Sequence, residues 1–517
     1  MVGSARRAVP TALLLCLTGC TINPVTGDRE LALISAADEV AIGAAQYAPS
    51  RQMQGGDYVL DPALMSYVAG VGARLGAVSD RDLPYEFVVL NSSVPNAWAL
   101  PGGKIAINRG LLLELGSEAE LAAVLGHEIV HAAARHGALA IQRGLLLQGA
   151  LLATAIAADR NNYSDLVVGA ASLGAQLINQ RYGRGAELES DDYGMRYMSR
   201  AGYDPAAAIA LQETFVRLSE GRDETGWLAG LFASHPPSTE RVERNREHAS
   251  RLPPGGEIGR GRYVAATARL RDTEEAYDAY DRARVALGED RIDDALALTQ
   301  QALRIEPNEA HFHSLLGDIE RRRRRDAAAI DHYRAAIMRN PEFFYYPLQL
   351  GLTLQADGDP AGAERYLTDS LELLPTADAH LGLGRIREQR GDFAGALEHY
   401  RLAAGASSPA GEAAQDAVVR IDLPRNPSAY LVVRSGLDAQ GQLRFEIANP
   451  TRVAVTDVGV VIRYAAPDGR IASIRRSLTT TLPPNGAQVY NTGLGPFSSE
   501  SAYGITLESA RTVAGLP

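Results

Sequence analysis

Cysteine is almost missing from this chain of 517 residues, which has only Cys16 and Cys20. Because both lie at the start, the remainder of the chain can form no disulfide bond. Basic residues are in the minority, with 51 Lys and Arg against 62 Asp and Glu and a formal net charge of −11. A nucleic-acid partner needs a net basic face for its phosphates, so we expect none. The chain is too long for one ordinary domain, and several cores are expected.

Apolar runs long enough to span a bilayer are missing too. Two apolar stretches, 144–158 and 166–178, are both shorter than the roughly 20 residues that a spanning helix needs. Each is interrupted by Gln or followed by polar residues. We expect them to form helices that cover the helix carrying the motif described next. The alternative is that the two stretches form a hairpin that dips into a membrane.

The most informative pattern is His127-Glu-Ile-Val-His131, an HExxH motif. Residues four apart on a helix lie nearly above one another, so both imidazoles can share one metal ion. Glu128 is turned about a quarter-circle from His127, within reach of a water molecule at that ion. Ser117 and Glu120 form a capping box that predicts the beginning of the helix.

A catalytic zinc has three protein ligands and one open position, so the motif needs a third partner. His136 is nine residues past His127, half a turn out of phase on a continuous helix, and is predicted to face away. Downstream, Glu187 and Asp191 are i and i+4 and share a helical face. One of them can bind zinc while the other supports a ligand histidine. Glu189 is predicted to face elsewhere on the helix.

Other elements surround the motif. Asp61-Pro62 predicts the start of a helix. Residues 85–90 predict a strand, and 96–100 with 104–107 predict a hairpin. A strand edge that borders a metal cleft can pair with an extended substrate backbone, which makes Asn96 and Ala97 candidate substrate-binding residues. The alternative is a purely structural hairpin.

The N-terminus has the pattern of an export signal, with two arginines before a short apolar segment. It ends in Leu17-Thr-Gly-Cys20, which resembles a bacterial lipobox. This resemblance implies removal of residues 1–19 and lipid attachment at Cys20. Because Thr21 rather than Asp follows, we expect an outer-membrane anchor facing the periplasm, with 20–60 as the lipid-anchored N-terminal segment. The alternative is a plain secretory signal with an incidental cysteine.

A repeat begins near residue 274. Four prolines lie at intervals of 34, and alanines and glycines keep the same step; the prolines are Pro307, Pro341, Pro375 and Pro409. This period resembles that of tetratricopeptide repeats and predicts four helix pairs over 274–409, stacked into a solenoid with a concave groove. Unrelated Ala-rich helices are the alternative. Residues 251–273 and 410–424 are predicted linkers.

The last part of the chain, 425–517, has a period of two. Leu443, Phe445 and Ile447 alternate with polar residues, and a second alternating run ends near a predicted turn at 467–469. We expect a small β-sandwich there. It carries no catalytic constellation.

Three motifs in order carry a family resemblance: HExxH, then Arg184-Gly-Ala-Glu-Leu-Glu-Ser-Asp-Asp-Tyr-Gly194, then His235-Pro-Pro-Ser-Thr-Glu-Arg241. Together with Asn23-Pro-Val-Thr-Gly27 and the segment from Asn96 to Leu111, they resemble the gluzincin metallopeptidases related to HtpX and the CAAX prenyl protease. The combination with tetratricopeptide repeats looks most like the β-barrel assembly-enhancing protease group. Ser190 departs from the family's usual Ala.

The resemblance implies a role for each matching residue. His127, His131 and Glu187 would bind one Zn²⁺, and Glu128 would be the general base. Asp191 would orient a ligand histidine. His235 would touch the attacking water or stabilise the oxyanion, supported by Arg241. A loop-capping histidine and a plain ion pair are the structural alternatives for the last two.

The expected fold is multidomain: an α+β gluzincin-type metallopeptidase over 61–250, an all-α tetratricopeptide solenoid and a small all-β sandwich. The expected function is that of a zinc-dependent endopeptidase of the bacterial envelope that cleaves misfolded or stalled outer-membrane and periplasmic proteins. The repeats would dock substrates or the outer-membrane protein assembly machinery. The alternative is a chaperone or scaffold lipoprotein with a latent zinc site.

Overall fold

The computed structural model describes residues 20–144, 146, 181–220, 235–466 and 470–513. The predicted signal segment, nearly all of both apolar stretches and the predicted turn at 467–469 lie outside these residues. Within the described ranges, no helix is long and apolar enough to cross a membrane. The chain divides into two compact units, Met1–Tyr346 and Pro347–Pro517.

The first unit opens with the hairpin β1 (Cys20–Ile22) and β2 (Arg29–Leu31). The elements that follow, up to the repeats, are α1 (Ala36–Met53), α2 (Pro62–Gly76), β3 (Glu86–Leu90), β4 (Ala97–Leu100), β5 (Lys104–Asn108), α3 (Arg109–Glu114), α4 (Glu118–Ala133), α5 (Arg184–Arg200), α6 (Ala206–Glu220), α7 (Thr239–Ala249), α8 (Arg260–Ala266) and α9 (Ala268–Asp272). Residues 136–144 are also helical.

A three-stranded sheet borders the motif helix α4. Its order is β3-β5-β4, with β3 parallel and β4 antiparallel to β5. The predicted strand, the predicted hairpin and the helix start at Asp61-Pro62 are all present. In α4 every residue except Glu120 is buried, because α2, α5, α6 and the strands β4 and β5 all pack against it. A Cβ on Gly194 of α5 would lie 3.1 Å from the backbone nitrogen of His127 in α4. The glycine therefore allows α5 and α4 to pack at close range.

The N-terminal segment is packed into the first unit. Glu39 of α1 is fully buried, and its carboxylate accepts hydrogen bonds from Arg81 Nη1 at 2.7 Å and Arg135 Nε at 2.5 Å. Such a buried, fully paired carboxylate is costly to leave with a missing partner. The segment is therefore part of the domain core as well as its N-terminal extension.

Residues 251–273 were predicted as a linker and are instead mostly helical, forming α8 and α9. Tyr263 is fully buried and its hydroxyl donates to Leu112 O at 2.5 Å. Leu270 is buried in the same core. Because both short helices are rich in charged residues, the sequence pattern does not indicate that Tyr263 and Leu270 are buried.

The repeats form four helix pairs, as predicted. Their bounds are α10 (Glu274–Gly288) with α11 (Ile292–Ile305), α12 (Ala310–Arg322) with α13 (Asp326–Arg339), α14 (Tyr345–Asp357) with α15 (Pro360–Leu373), and α16 (Ala377–Gln389) with α17 (Phe393–Ala404). The predicted linker 410–424 is largely a ninth helix, α18 (Pro409–Asp422), which packs on α17. Pro409 is the first residue of α18, where its fixed φ suits a helix start.

The first two repeat pairs belong to the same compact unit as the peptidase-like part. Glu309 at the start of α12 accepts from Asn91 Nδ2 at 3.1 Å and from the Tyr277 hydroxyl. The guanidinium carbon of Arg109 lies 3.3 Å from the centroid of the Tyr277 ring. A domain boundary drawn near residue 274 therefore cuts through a buried polar network.

The second unit ends in two three-stranded antiparallel sheets. Their strands are β6 (Val432–Leu437), β7 (Leu443–Asn449), β8 (Val455–Ala465), β9 (Ile471–Leu478), β10 (Gly486–Asn491) and β11 (Tyr503–Thr512), in the orders β10-β7-β6 and β11-β8-β9. Leu443, Phe445 and Ile447 are buried with Val460 and Ile462 in one cluster, so the predicted alternation and the small all-β domain are confirmed.

Candidate active site and metal centre

The motif helix begins at a side-chain cap. Ser117 Oγ accepts from the backbone nitrogen of Glu120 at 3.2 Å, as predicted. The Glu120 carboxylate accepts from Gly116 N at 2.9 Å, one residue before the position that a capping box would use. The helix start is thus fixed by the predicted residues with a shifted reciprocal bond.

His127 and His131 direct their Nε2 atoms at one point, where these atoms lie 3.0 Å apart. His127 Nδ1 lies 2.9 Å from Asp191 Oδ1 and donates to it, because an ionised carboxylate only accepts. In a neutral His127 ring the lone pair is then on Nε2, facing the second histidine. Two ring nitrogens at this distance need a proton or a metal cation between them.

Glu187 is the third member of the cluster. Its carboxylate oxygens lie 3.5 Å from His127 Nε2 and 3.4 Å from His131 Nε2. Burial alone would raise the pKa of Glu187, but His235 and the two motif histidines outweigh it and hold that pKa well below the usual range. The residue is therefore an anion in the fold, as a metal ligand must be.

Asp191 and Arg241 support the cluster from behind. Arg241 donates from Nε to Asp191 Oδ2 and from Nη2 to Asp191 Oδ1, both at 2.7 Å, and its Nη1 lies 3.0 Å from Glu187 Oε2. Burial raises the pKa of Asp191, but Arg241 outweighs it and lowers that pKa to about 2. A bidentate pair of this kind fixes both the position of the carboxylate and the tautomer of His127.

His235 lies directly against the cluster. Its Nδ1 is 3.3 Å from His127 Nε2 and 3.1 Å from Glu187 Oε1. Its Nε2 is 3.6 Å from Glu128 Oε1. The expected contact with the attacking water or the oxyanion stays a prediction, and the ring is also close enough to be a fourth ligand.

The donor set fits one zinc ion. Ligand atoms of His127, His131, Glu187 and His235 all lie within 4.8 Å of one another. Tetrahedral zinc with bonds of about 2.0–2.1 Å separates its ligand atoms by roughly 3.3–3.4 Å. The three separations among His127, His131 and Glu187, 3.0, 3.4 and 3.5 Å, bracket that value. Imidazole and carboxylate are also the donors that zinc sites use.

Glu128 has the environment of a base. Among the described residues, its Oε2 is buried without a hydrogen-bond partner. Burial raises the pKa of Glu128, while His235 and His127 oppose the shift. A carboxylate that is desolvated in this way binds a proton more readily than one in water.

The prediction that His136 faces away is wrong. α4 ends at Ala133, and Arg135 has a φ of 66°, so the chain reverses before His136. His136 Nδ1 then lies 2.9 Å from His131 Nδ1, and its Nε2 lies 3.4 Å from Glu189 Oε1. His136 therefore orients a motif histidine without joining the ligand group. Only the helix end, which HExxH spacing does not encode, could have indicated this.

Tyr182 is a further residue that the sequence analysis missed. Its ring stacks on His131 with 4.0 Å between centroids and an interplanar angle of 27°. The contact restricts the rotation of that imidazole. No motif spacing relates the two residues, so the sequence held no signal for it.

A cavity of about 40 Å³ adjoins the cluster, with Ala97, His127 and Glu128 in its wall. β4 is an edge strand of the described sheet. Asn96 O accepts from Asn108 N at 2.8 Å, so Ala97 and Ala99 direct their backbone groups away from β5. Ala97 thus borders the site as expected, whereas Asn96 is outside the cavity wall and its Oδ1 lacks a partner among the described residues.

Comparisons with known proteins find matches over the segment that carries this site and over the repeats. Residues 62–249 match peptidase family M48, and residues 280–342 and 348–412 match the tetratricopeptide repeat. The beta-barrel assembly-enhancing protease of Yersinia pestis is 25% identical over 372 residues, 66% of this chain and 76% of that protein. Mitochondrial metalloendopeptidase OMA1 of Schizosaccharomyces pombe is 34% identical over 186 residues, 35% of this chain and 52% of that protein.

A further relative is also named as a protease. The beta-barrel assembly-enhancing protease of Escherichia coli is 26% identical over 330 residues, 55% of this chain and 66% of that protein. Among solved structures, the crystal structure of MamA covers 32% of this chain and 90% of that chain at 17% identity, with a TM-score of 0.24, too low to bear on function. The chain spans between about half and three quarters of the length of the curated relatives named here.

The site and the matched segment define a metallopeptidase domain of the HExxH class with a glutamate beyond the motif. The chain carries a peptidase M48 domain over residues 62–249 and joins it to tetratricopeptide repeats, and several of the proteins to which it is similar are named beta-barrel assembly-enhancing protease.

Proposed function

We propose that this protein is a zinc-dependent endopeptidase of the bacterial envelope that cleaves misfolded or stalled outer-membrane and periplasmic proteins. The observation that carries the proposal is the grouping of His127, His131, Glu187 and His235 beside the buried Glu128, whose Oε2 has no hydrogen-bond partner among the described residues. Structural metal sites seldom keep a free carboxylate next to the ion, whereas hydrolytic sites need one as a base.

The residues divide the chemistry among them. When bound, zinc would supply a Lewis acid for the scissile carbonyl and lower the pKa of the attacking water. Glu128 takes the proton of that water and later delivers it to the leaving amine nitrogen. Asp191 and Arg241 hold His127 and Glu187 in position. The edge of β4 at Ala97 offers its free backbone groups to an extended substrate chain.

Support for an envelope role comes from three observations. The sequence from Leu17 to Cys20 has the lipobox pattern, which favours a lipid anchor at Cys20 on the periplasmic face of the outer membrane. Relatives named beta-barrel assembly-enhancing protease are similar to this chain over 372 and 330 residues, a longer stretch than the peptidase match over 62–249. Repeat solenoids of this kind present concave surfaces to protein partners, so we assign substrate capture or docking on the assembly machinery to them.

One observation favours a second candidate, a chaperone or scaffold whose zinc site is latent. His235 lies at hydrogen-bonding distance from both His127 and Glu187, where it would take the fourth position of a tetrahedral ion. A site with four protein ligands has no open position for water. In this candidate the repeats carry the function and the peptidase domain is inactive until His235 is displaced.

The two candidates are separated by zinc content and by cleavage of an unfolded outer-membrane porin. We expect one zinc per mature chain, slow cleavage by the wild type, and no cleavage by Glu128→Gln with its zinc retained. His235→Ala, which opens the fourth position, is expected to cleave faster if His235 inhibits and slower if it stabilises the oxyanion. Zinc binding without cleavage by either the wild type or His235→Ala contradicts the protease and supports the scaffold.

A further inference from the structure

The cavity beside Glu128 holds an unusual number of unsatisfied polar groups. Among the described residues, Ser190 Oγ, Gln212 Oε1 and both polar atoms of the Asn245 amide are buried without a hydrogen-bond partner, and all three residues line this cavity. They are 0%, 5% and 1% exposed. Buried polar groups in folded proteins are almost always paired, so three such residues around one cavity indicate a ligand that pairs them.

These residues come from three different helices. Ser190 is on α5, Gln212 on α6 and Asn245 on α7, and the helices converge on the cavity from separate directions. The same wall includes the apolar side chains of Met195, Met198, Leu211 and Phe215, together with Glu128. The cavity therefore offers apolar contacts beside the proposed base, together with the unpaired groups of Ser190, Gln212 and Asn245, which we call its polar end.

We propose that this cavity is the specificity pocket for the substrate residue next to the cleaved bond, and that it selects a long side chain with an uncharged hydrogen-bonding head, glutamine being the closest match. The proposal rests on the proposed function for its location beside the scissile bond. It adds a substrate preference that neither the HExxH motif nor the ligand set implies.

The chemistry of the polar end sets the kind of head group. Asn245 offers a donor and an acceptor whichever way its amide is turned, Gln212 offers an acceptor, and the Ser190 hydroxyl can play either part. A carboxamide matches this mixture because it has both kinds of group. Water molecules satisfy the same atoms in the free protein, and the substrate head displaces them on binding.

A charged head group finds no partner at the polar end. Arg241 and Asp191, the ion pair in the cavity wall, already saturate one another through two hydrogen bonds of 2.7 Å. A cationic head could pair only with Glu128 and would occupy the base. Burying an unpaired charge costs far more than burying a neutral amide.

The first probe is Ser190→Ala, which removes one hydroxyl of the polar end and keeps a residue that favours the helix. Asn245→Leu removes both groups of the amide at similar size. Ser314→Ala is the matched control, since Ser314 Oγ is also buried without a partner among the described residues but lies on α12, outside the cavity wall.

The experiment uses two fluorogenic peptides that differ only in Gln or Met at the residue flanking the cleaved bond. With the zinc-loaded full chain we expect kcat/KM to favour Gln by about ten-fold to a hundred-fold, because a head that leaves these groups unpaired is penalised. Ser190→Ala and Asn245→Leu should each reduce the ratio several-fold, and Ser314→Ala should leave it unchanged. Zinc content and thermal unfolding confirm that each variant is folded.

A second readout does not depend on turnover. The affinities of Glu128→Gln for the same two peptides should show the same preference, and Ser190→Ala in that background should reduce it. Equal treatment of Gln and Met by folded, zinc-loaded protein in both assays overturns the inference and leaves water as the partner of these groups. If the affinity preference holds while the wild type cleaves neither peptide, the pocket stands and the proposed function fails.

Discussion

Replacing Asp191 by Asn tests how far the site depends on one carboxylate. Asp191 accepts two hydrogen bonds of 2.7 Å from Arg241 and one of 2.9 Å from His127 Nδ1. Asn has the same shape but only one acceptor oxygen, so its NH₂ group must face another donor. Either Arg241 or His127 is left with a donor-to-donor contact in a buried position.

The size of the expected loss in stability depends on the contacts that Arg241 keeps in Asp191→Asn. Arg241 keeps Glu187 Oε2 at 3.0 Å and Pro236 O at 3.3 Å, so its charge is not fully unpaired. Breaking a buried ion pair costs about 3–5 kcal/mol, and we expect Asp191→Asn to fall at the lower end of that range in the free energy of unfolding. Zinc affinity should fall by about 10- to 100-fold, as when the carboxylate behind a ligand histidine is lost.

Asp192→Asn is the matched control, one residue further along the same helix. Asp192 pairs with Arg196 at 2.7 Å in a more exposed position, where an ion pair contributes about 1 kcal/mol or less. The assays are chelator competition for zinc affinity and denaturant unfolding of the metal-free protein. Wild-type zinc affinity and stability in Asp191→Asn would refute the assignment of this residue as the support of His127.

Two further predictions concern packing and pH. Gly194→Ala should weaken zinc binding and lower the free energy of unfolding by about 1–3 kcal/mol, because its Cβ would lie 3.1 Å from His127 N; Gly185→Ala on the same helix, with nothing within 4 Å, should cost nothing measurable by either assay. Burial raises the pKa of Asp318 to about 6, against hydrogen bonds from two tyrosines that lower it. The fold thus holds a proton between about pH 4 and pH 6 that the unfolded chain releases, so the Asp318 contribution to the free energy of unfolding falls as pH rises through this window. Asp318→Asn should flatten that part of the stability profile in denaturant titrations, and an unchanged slope would contradict the buried carboxyl.

The parts of the site that follow from local periodicity were predictable. HExxH spacing fixes His127, Glu128 and His131 on one helix, and the i, i+4 relation places Glu187 and Asp191 together on another. His235 and Arg241 came from the family resemblance, since they are about a hundred residues from the motif in sequence. Their contacts with Glu187 and Asp191 could only be measured in the fold.

The errors have local physical causes. His136 returns to His131 because α4 ends at Ala133 and Arg135 adopts a left-handed conformation, and a periodic pattern does not report where a helix stops. The supposed linker at 251–273 is folded because Tyr263 and Leu270 are buried in the core of the first unit. In each case a tertiary contact overrides composition.

Domain limits were the least predictable feature. The period of 34 predicts repeats from near residue 274, and in the structure the first two helix pairs share a compact unit with the peptidase domain. The cause is a buried network of Asn91, Arg109, Tyr277 and Glu309, whose members are spread over more than two hundred residues. No repeat pattern encodes such a contact.

The central claim is that His127, His131 and Glu187 bind one zinc ion. Its most direct test is the zinc content of the purified full chain after dialysis against a weak chelator, measured for the wild type, Glu187→Ala and Glu189→Ala. We expect one zinc per chain for the wild type and for Glu189→Ala, and little or none for Glu187→Ala. Full retention by Glu187→Ala, or a wild type that binds no zinc, would contradict it.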